Sequence, residues 1–510
     1  MHGVLALAVS LCGCDVAWPN TTEDCEFLMT CEHFRGLWNE VETPAGCIPS
    51  ENASGVADTC GVFVSSGGDD ASEGTKEAPM KTLSAALARA EKGKRRVYAC
   101  AEGFEEAVEV AGSVTLYGGL DCASGWGWAG EQRKTVLTAG AGEIPLVMRG
   151  GGGETNVRVE DVHVQARGID AGDVTLAGAS SIAAVAEEVS VELARCVLEA
   201  GDAAAGAEGA AYETSAMGGA EGNSGVEACS GPGVLGGLPV TNDCGTPDDT
   251  SDDSSSGLGG QGAAESGGAG TKGSPGATLN GGMGEEGSTM CTNGIAGANG
   301  TEGRPGAGAT DVGDISASGY TGVAGHEGTK GSTAQGGGGG GGARGGAGEG
   351  KCMLAESAGG ASGGSGGAGG CGGAGGRGGG AGGASIALLS LNATLSFEQV
   401  TLKTGRGGAG GKGGAGQEGG EGGAGGPGGK KPEGATALND ACAGGAGGKG
   451  GAGGRGGGGR GGHAIGIAYK GAMPPTQGAT IELGEAGDGG LGASAEAQGE
   501  AGVKAEVQAF

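Results

Sequence analysis

The chain has 510 residues, of which 132 are glycine and only 3 % are aromatic, and its formal net charge is −30. With 60 acidic and 30 basic residues, it lacks the basic surface that nucleic-acid binding requires, so no nucleic-acid partner is expected. Much of the hydrophobic 36 % is alanine, so side-chain burial can hold together only part of the chain.

The first fourteen residues, MHGVLALAVSLCGC, have the pattern of a lipoprotein leader. The apolar run from Val4 to Leu11 is far shorter than the ~18 residues needed to span a bilayer and is typical of a signal peptide. Leu-Cys-Gly-Cys then resembles a lipobox with Cys14 as the acylated residue, although no Lys or Arg precedes the run and residue 12 is itself Cys. We predict a lipoprotein signal peptide over 1–14 and a lipid anchor on Cys14. A soluble chain starting at Met1 is the alternative.

Fifteen cysteines are unusual for a reducing compartment. A cluster of four within 15–60 predicts a disulfide-stapled N-terminal module, and two further cysteines form a plausible second pair. The candidate disulfide cysteines are Cys25, Cys31, Cys47, Cys60, Cys100 and Cys122. Their connectivity stays open. With Cys12 removed and Cys14 acylated the remaining number is odd, so one thiol is expected to be free or joined to a partner.

Residues 61–201 read as short strands with one helix. A helix is expected over 82–92, capped by Thr82 and ended by Gly93. Its predicted apolar face consists of Leu83, Ala86, Leu87 and Ala90. Strands are expected at 61–65, 96–100, 107–110, 113–117, 135–138 and 157–164. Many short strands without crossover helices favour a sandwich, a barrel or a β-solenoid.

An internal repeat favours the solenoid. Residues 181–201 align without gaps to 385–405, 204 positions further on, and a looser copy spans 462–484. Each copy is about one coil of a parallel β-helix, which buries its inward residues only when coils stack. We predict an all-β fold: a right-handed parallel β-helix with one short capping helix and long glycine-rich insertions. The β-helix would comprise 61–201, one coil at 385–405 and terminal coils at 463–510.

Two glycine-rich insertions, 202–384 and 406–462, separate these parts. In GGAGGCGGAGGRGGGAGG (366–383) the other residues mostly recur at every third position, and proline is too rare for collagen. An extended helix with three residues per turn has two bare faces along which neighbouring backbones can bond. This predicts a polyglycine II-like bundle whose third residues, such as Lys412, Ala446 and Arg455, face solvent. Because ordering glycine costs about as much as the hydrogen bonds return, disorder is the alternative, and we expect it at 245–268.

No catalytic, cofactor or metal site is predicted. The nucleophile-elbow match at 360–364 arises freely in a Gly/Ser tract, and the histidines have no ligand spacing. Glu160-Asp161 and Glu187-Glu188 are acid pairs of the kind that polysaccharide-cleaving β-helices use. The second pair aligns with Leu391-Asn392 in the next copy, and we interpret both pairs as solvated outer turns.

Several stretches together resemble the glycine-rich envelope lipoproteins of myxobacteria, often labelled PGRS family, whose first part is similar to a pectate-lyase-like right-handed β-helix. They are CIP (47–49), CGVFVSSGGDD (60–70), EGTKEAPMKTLSAALARA (73–90), VTLYGG (114–119), VEDVHVQA (159–166) and SIA…LEAGD (181–202). The resemblance implies an exported, cell-envelope location, at the outer membrane or cell surface. It implies no activity, because the catalytic Asp and Arg set of the lyases has no match here.

We therefore expect a non-enzymatic cell-surface lipoprotein with a structural, adhesive or matrix role and no cofactor. Its expected partners are the membrane, through the anchor, and polysaccharide or other envelope components. The alternative is a carbohydrate-active enzyme of the polysaccharide lyase or hydrolase kind, or a carbohydrate-binding protein. A cleft lined by three or more acids and an arginine would favour the enzyme.

Overall fold

The computed structural model describes residues 43–44, 46–52, 55–150, 155–170 and 172–510. The predicted leader over 1–14, with Cys14, and the candidate cysteines Cys25 and Cys31 lie outside the described residues. The described part contains one α-helix, and its strands lie mostly in parallel sheets. This confirms the predicted all-β class with a single helix.

The elements in chain order are β1 (Val62–Val64), α1 (Leu83–Glu91), β2 (Arg96–Cys100), β3 (Gly103–Glu105), β4 (Val108–Ala111), β5 (Thr115–Asp121), β6 (Gly127–Trp128), β7 (Thr135–Thr138), β8 (Leu146–Arg149), β9 (Asn156–Glu160), β10 (Val162–Ala166), β11 (Ser181–Glu187), β12 (Ser190–Ala194), β13 (Val197–Ala200), β14 (Gly233–Val234), β15 (Thr241–Asn242), β16 (Ser254–Ser255), β17 (Gly262–Ala263), β18 (Asp314–Ser316), β19 (Gly319–Thr321), β20 (Ser385–Leu391), β21 (Thr394–Glu398), β22 (Val400–Lys403), β23 (Ala464–Lys470), β24 (Ala479–Glu482) and β25 (Lys504–Ala509). Short 3₁₀ turns lie at Pro49–Glu51, Asp58–Cys60, Cys122–Ser124, Val174–Leu176, Thr250–Asp252 and Ala355–Ser357.

The chain contributes strands to three parallel sheets in turn, and we call one such round, with a strand in each sheet, a passage. Sheet A has the order β1-β2-β5-β9-β12-β21, with β6 antiparallel to β5. Sheet B has the order β3-β7-β10-β13-β22-β24, and sheet C has the order β4-β8-β11-β20-β23-β25. From β2 to β23 each passage adds one strand to each sheet. Every strand of a passage therefore packs beside its counterpart from the passage before.

The predicted stacking of the repeat copies is confirmed. Strand β11 pairs with β20 in the register Ser181↔Ser385, and β13 pairs with β22 in the register Leu198↔Leu402. Both pairs keep the offset read from the sequence, so the 183 residues of the first insertion leave and re-enter the sheets without a shift. The third copy continues the stack, since β23 pairs with β20 and β24 pairs with β22.

Helix α1 packs against β1, β2 and β4, the first strands of the stack. Its N-cap Thr82 accepts a hydrogen bond from the Ala85 amide at 3.2 Å, and the four predicted apolar residues are buried. The predicted strand at 157–164 is instead two strands, because Asp161 between them has a left-handed backbone with φ +55°. That turn carries the chain from sheet A to sheet B, which a strand pattern alone does not reveal.

The two described N-terminal cysteines, Cys47 and Cys60, pack against the aromatic residues on the outer face of sheet A. Cys47 pairs with Cys60, and the predicted pair Cys100–Cys122 is confirmed. They enclose an apolar cluster in which Tyr98 stacks on both Phe63 and Tyr117, with ring centroids 5.1 and 5.2 Å apart. Five disulfides among the described residues indicate an oxidising, extracytoplasmic location.

The middle strands of sheet C, β11, β20 and β23, are buried on both faces over most of their length. Strand β20, SIALLSL, is buried at every position, because the β18–β19 hairpin packs with Ile315 against its outer side. His463 lies in this contact and is fully buried. Its Nδ1 accepts a hydrogen bond from the Val503 amide at 2.8 Å, so the proton is on Nε2, 2.7 Å from the Val312 carbonyl.

This histidine predicts an acid-sensitive contact. Burial lowers the pKa of His463, and the hydrogen bond to Val312 offsets this only in part. Below pH ~6.5 the unfolded chain takes up a proton that folded His463 resists, so the free energy of unfolding falls with pH, by at most ~1.4 kcal/mol per unit. Thermal unfolding between pH 7.5 and 5.5 should show this slope, and His463→Gln should remove it. The exposed His326 is the matched control, and an unchanged slope in His463→Gln would contradict the assignment.

The glycine-rich insertions and a later segment form what we call the glycine bundle: residues 203–309, 323–384, 405–463 and 484–503. Its segments are extended and hydrogen-bond to one another at every third residue. Along one pair of segments the donor–acceptor pairs are Gly367–Gly445, Gly370–Gly448, Gly373–Gly451 and Gly376–Gly454. The insertions are therefore ordered against each other in the described structure.

Most of the bundle lies in three layers, and residues 484–503 add a further pair of segments bonded to 407–413 and 458–462 of the long layer. The long layer consists of 203–228, 405–430, 440–463 and 291–309, each bonded to the next. The central layer consists of 358–384 and 323–345, and the short layer consists of 231–240, 256–263, 265–274 and 278–285. The predicted disorder at 245–268 is wrong, because 256–263 belongs to the short layer and bonds through Gly257 and Gly260 to the central layer.

Glycine content follows how many faces of a segment are covered. The central stretch 336–342 is all glycine and buried, since a Cβ at Gly338 would lie 1.8 Å from the Asn280 carbonyl oxygen. In the long layer Lys412 and Ala446 are exposed and Arg455 is partly exposed, as predicted. The third residues of 362–371 are instead buried, because segment 203–228 and the short layer cover that side, and they are small: Ser362, Ser365, Ala368 and Cys371.

Adding one methyl group in the centre should therefore destabilise the bundle. We expect Gly338→Ala to lower its free energy of unfolding by ~1–3 kcal/mol, because backbone must move to admit the Cβ. Gly218→Ala is the matched control, since its Cβ would meet nothing nearer than 3.3 Å. Denaturant-dependent proteolysis of residues 202–384 measures the difference. Equal sensitivity of the two variants would contradict the packing.

Candidate functional site

A groove of about 640 Å³ lies beside the turns that lead from sheet A to sheet B. Its floor consists of outward-facing residues on neighbouring strands of sheet B, among them His163 and Thr401. The full lining is Ala101, Glu131, Gln132, Arg133, Lys134, Val136, His163, Arg195, Cys196, Val197, Gln399 and Thr401. The 131–134 loop forms its rim.

The turns beside the groove repeat one unusual conformation. Asp161, Arg195 and Gln399 occupy the same turn in three successive passages and have φ of +55°, +51° and +54°. Non-glycine residues adopt this left-handed region at some cost, so surrounding contacts must hold them there. The conformation directs all three side chains from the same corner of the fold.

Arg195 is held by two buried carboxylates. Its Nη2 lies 2.5 Å from Glu160 Oε2 and 2.9 Å from Asp161 Oδ2. Asp161 also accepts a hydrogen bond from the Trp128 indole at 3.0 Å, and Lys134 Nζ lies 3.8 Å from its other oxygen. Burial disfavours the charge on Arg195, but the hydrogen bonds and charges of the two acids outweigh it and raise the pKa of Arg195.

The interpretation of Glu160-Asp161 as a solvated turn is wrong. The two residues are only 1 % and 2 % exposed. Arg195 from the next passage and the loop bearing Trp128 and Lys134 cover them, and Arg158 donates to Glu160 at 2.5 Å. This burial could not be predicted from the local sequence, since Lys134, Trp128 and Arg195 lie 27 to 35 positions from the acids that they contact. Of the other pair, Glu188 is exposed as expected, whereas Glu187 bonds to Arg149 at 3.1 Å.

The free thiol of the described residues is Cys196. Burial raises the pKa of Cys196 to about 12, so the group stays a protonated thiol at neutral pH. Its Sγ lies 3.3 Å from the carbonyl oxygens of Val159 and Ala194. Cys196 therefore contributes a small buried side chain under the groove and does not act there as a thiolate nucleophile.

The groove presents more cations than acids to a ligand. Arg133, Lys134 and Arg195 line it, and its one lining carboxylate is Glu131. The carboxylates of Glu160 and Asp161 already form ion pairs with arginine and lysine side chains. Hydrolysis of a glycosidic bond by general acid–base catalysis generally uses two available carboxylates. The lining therefore suits hydrogen bonding to a polar ligand better than it suits that chemistry.

In the part of the chain that the structure describes, no three His, Cys, Asp or Glu side chains come together as ligands for a metal ion. Nor does that part contain a helix with the length and apolarity needed to cross a bilayer.

Comparison with known proteins finds no matching family model, no matching curated protein and no matching solved structure.

Proposed function

We propose that the chain is a non-enzymatic, lipid-anchored protein of the cell surface with a structural or adhesive role. In this proposal the three sheets close into a right-handed parallel β-helix, and the glycine bundle is a polyglycine II-like assembly carried on its side. The order of strands supports the first part, since each sheet gains a strand in turn. The three-residue spacing of the backbone hydrogen bonds supports the second.

One observation carries the structural role. The longest insertions bond to each other in layers, mainly through backbone groups. Such a slab is stiff, because every third backbone group of a segment is tied to a neighbour. Three disulfides tie its segments further: Cys229–Cys352, Cys244–Cys371 and Cys291–Cys442. A stiff, acidic, cross-linked slab suits a spacer or matrix component outside the cell.

The anchor and the family membership rest on the sequence. The lipobox-like Cys14 and the resemblance to glycine-rich myxobacterial envelope lipoproteins both favour display at the outer membrane or cell surface. A lipid anchor would hold the slab at the envelope, where contacts with polysaccharide or neighbouring proteins would be made. Stable anchoring needs two or more acyl chains.

The anchor and the adhesive role can be tested together. In a diderm bacterial host, the full chain should incorporate radiolabelled palmitate and make cells adhere to envelope-polysaccharide-coated beads. Cys14→Ser should abolish the label and the adhesion, whereas the matched Cys12→Ser should retain both. Labelled cells that do not adhere would overturn the adhesive role, and label retained in Cys14→Ser would overturn the anchor.

A second candidate function is polysaccharide binding at the groove, which the convergence of Arg133, Lys134 and His163 favours. Retention of the purified chain on a polyuronate column, lost in Lys134→Ala, would support it. Formation of shortened or unsaturated products from polyuronates with Ca²⁺ present would instead show a lyase or hydrolase, and would overturn the non-enzymatic assignment.

A further inference from the structure

The short layer covers only part of the central layer. Over the covered part, segment 256–263 lies in the furrow between the two central segments. There Gly257 and Gly260 donate to the carbonyls of Gly337 and Gly340. In return the amides of Gly366 and Gly363 donate to the carbonyls of Gly257 and Gly260. We call each facing pair of central-layer glycines a row. Each row thus offers one amide donor and one carbonyl acceptor to the furrow, and segment 256–263 bonds to both.

The same rows continue beyond the end of that segment. A Cβ on Gly366 would lie 1.9 Å from the Gly337 carbonyl oxygen, and the equivalent approach recurs at every third residue. The continuing donor–acceptor rows are Gly372 with Gly331, Gly375 with Gly328 and Gly378 with Gly325. Gly369 marks the boundary, because its amide bonds to the Ser254 hydroxyl at 2.7 Å where the short layer turns away.

In these rows the backbone groups that face the furrow have no partner among the described residues. They are the amides of Gly372, Gly375 and Gly378 and the carbonyls of Gly331, Gly328 and Gly325. The first row is buried, whereas Gly375, Gly378, Gly328 and Gly325 are partly exposed. We call the open stretch, formed by the rows of Gly375 and Gly378, the trough; at ~3.1 Å per residue these rows are ~9 Å apart, and the buried row of Gly372 and Gly331 lies at its end.

The trough has defined ends and sides. At one end the 243–253 loop is fixed by the Cys244–Cys371 disulfide and by Lys330, whose Nζ lies 2.6 Å from Asp252. At the other end Gly322, beside the β18–β19 hairpin, lies against Ala381. Arg377 is exposed on one flank, and the Tyr212 hydroxyl donates to the Gly375 carbonyl at 2.8 Å. The site is thus preformed by disulfide-linked and hydrogen-bonded segments.

We propose that the trough is a docking site for an extended glycine-rich segment of another polypeptide, which would continue the short layer. The ligand needs glycine at every third position to bring its backbone against the floor, as Gly257 and Gly260 do in the covered part. The glycine-rich segments of the chain are already bonded to their neighbours within the bundle, so the occupant we propose is a different polypeptide and not a second copy. The inference needs the ordered bundle and requires neither the anchor nor adhesion.

The test uses the oxidised full chain and a fluorescein-labelled peptide, SSSGLGGQGA, which repeats residues 254–263. The control peptide carries N-methylglycine in place of the residues that correspond to Gly257 and Gly260, which removes the two donors. We expect the control to bind at least tenfold more weakly in fluorescence anisotropy. Hydrogen exchange of the Gly375 and Gly378 amides should slow at least tenfold on peptide binding, while exchange at Gly363 and Gly366 should not change.

Variants locate the site independently. Arg377→Trp places a large ring on the flank of the trough and should weaken binding at least tenfold. Lys412→Trp, also at an exposed third position but in the long layer, should bind as the parent does. Equal binding of both peptides, or exchange changes confined to Gly363 and Gly366, would overturn the proposal. Self-association of the chain that Arg377→Trp abolishes would show that a second copy is the occupant, and would overturn that choice.

Discussion

Removal of the three bundle disulfides is expected to open the glycine bundle while the three parallel sheets stay folded. The bonds Cys229–Cys352, Cys244–Cys371 and Cys291–Cys442 close loops of 123, 127 and 151 residues. Closing a loop of about 100 residues stabilises a fold by up to ~4.7 kcal/mol in the chain-entropy model. The glycine segments need this, since ordering costs ~1–2 kcal/mol per residue and each net hydrogen bond returns only ~0.5–1.5.

The experiment compares the parent with a variant in which these six cysteines are serine. Proteinase K should cleave the variant within 203–309 and 323–384 at least a hundredfold faster, with the strands of sheets A to C recovered intact. Cys47→Ser with Cys60→Ser is the matched control, because that disulfide lies at the outer face of sheet A and its loss should leave the bundle resistant. An equally resistant bundle in the six-serine variant would show that backbone bonding alone suffices.

The stacking could be predicted because the repeat copies can be aligned directly with one another in the sequence. Residues 181–201 and 385–405 match without a gap, and parallel strands in register place equivalent residues side by side. The double burial of β20 could not be predicted, although its run SIALLSL lacks alternation. The hairpin that covers it is supplied by residues 314–321, in the middle of an insertion, and no local pattern indicates that return.

In the glycine tracts, the number of glycines per triplet indicates how many faces of a segment are covered by its neighbours. Two glycines per triplet occur where one face is open, as at Lys449, and one per triplet occurs at the edge segment 291–309. Unbroken glycine at 336–342 marks a segment enclosed on every face. The error over 245–268 arose because the strict glycine triplet is lacking there, yet Gly257 and Gly260 stand where the furrow requires them.

The candidate site was the hardest part to predict, because its chemistry depends on burial. Glu160 and Asp161 follow a strand in the manner of an exposed turn, and nothing local distinguishes them from Glu187 and Glu188. What buries them is the next passage, which brings Arg195 over the turn. Glu160 and Asp161 are identified from the sequence as an acid pair, but Arg195 is not identified there as their partner.

Arg195→Met is expected to lower the free energy of unfolding of the sheets by ~3–5 kcal/mol. Removing one partner of a buried ion pair leaves the other charge without compensation, and here two carboxylates would lose it together. Methionine keeps most of the arginine's volume, so the loss reports the charge and not a cavity. Arg158 and Lys134 would remain, which places the effect below the cost of two fully unpaired charges.

The matched control is Arg133→Met, which removes an arginine from the same groove. Its ion pair with Asp121, at 3.2 Å, is solvent-exposed, with the arginine side chain 56 % accessible, so the expected cost is ~0–1 kcal/mol. Adding Glu160→Gln and Asp161→Asn to Arg195→Met should recover part of the loss, because neutral amides do not need the guanidinium. Urea unfolding followed by circular dichroism measures all three variants. A loss in Arg195→Met no larger than in Arg133→Met would mean that water reaches the turn, and that Glu160 and Asp161 are available to a ligand in the groove after all.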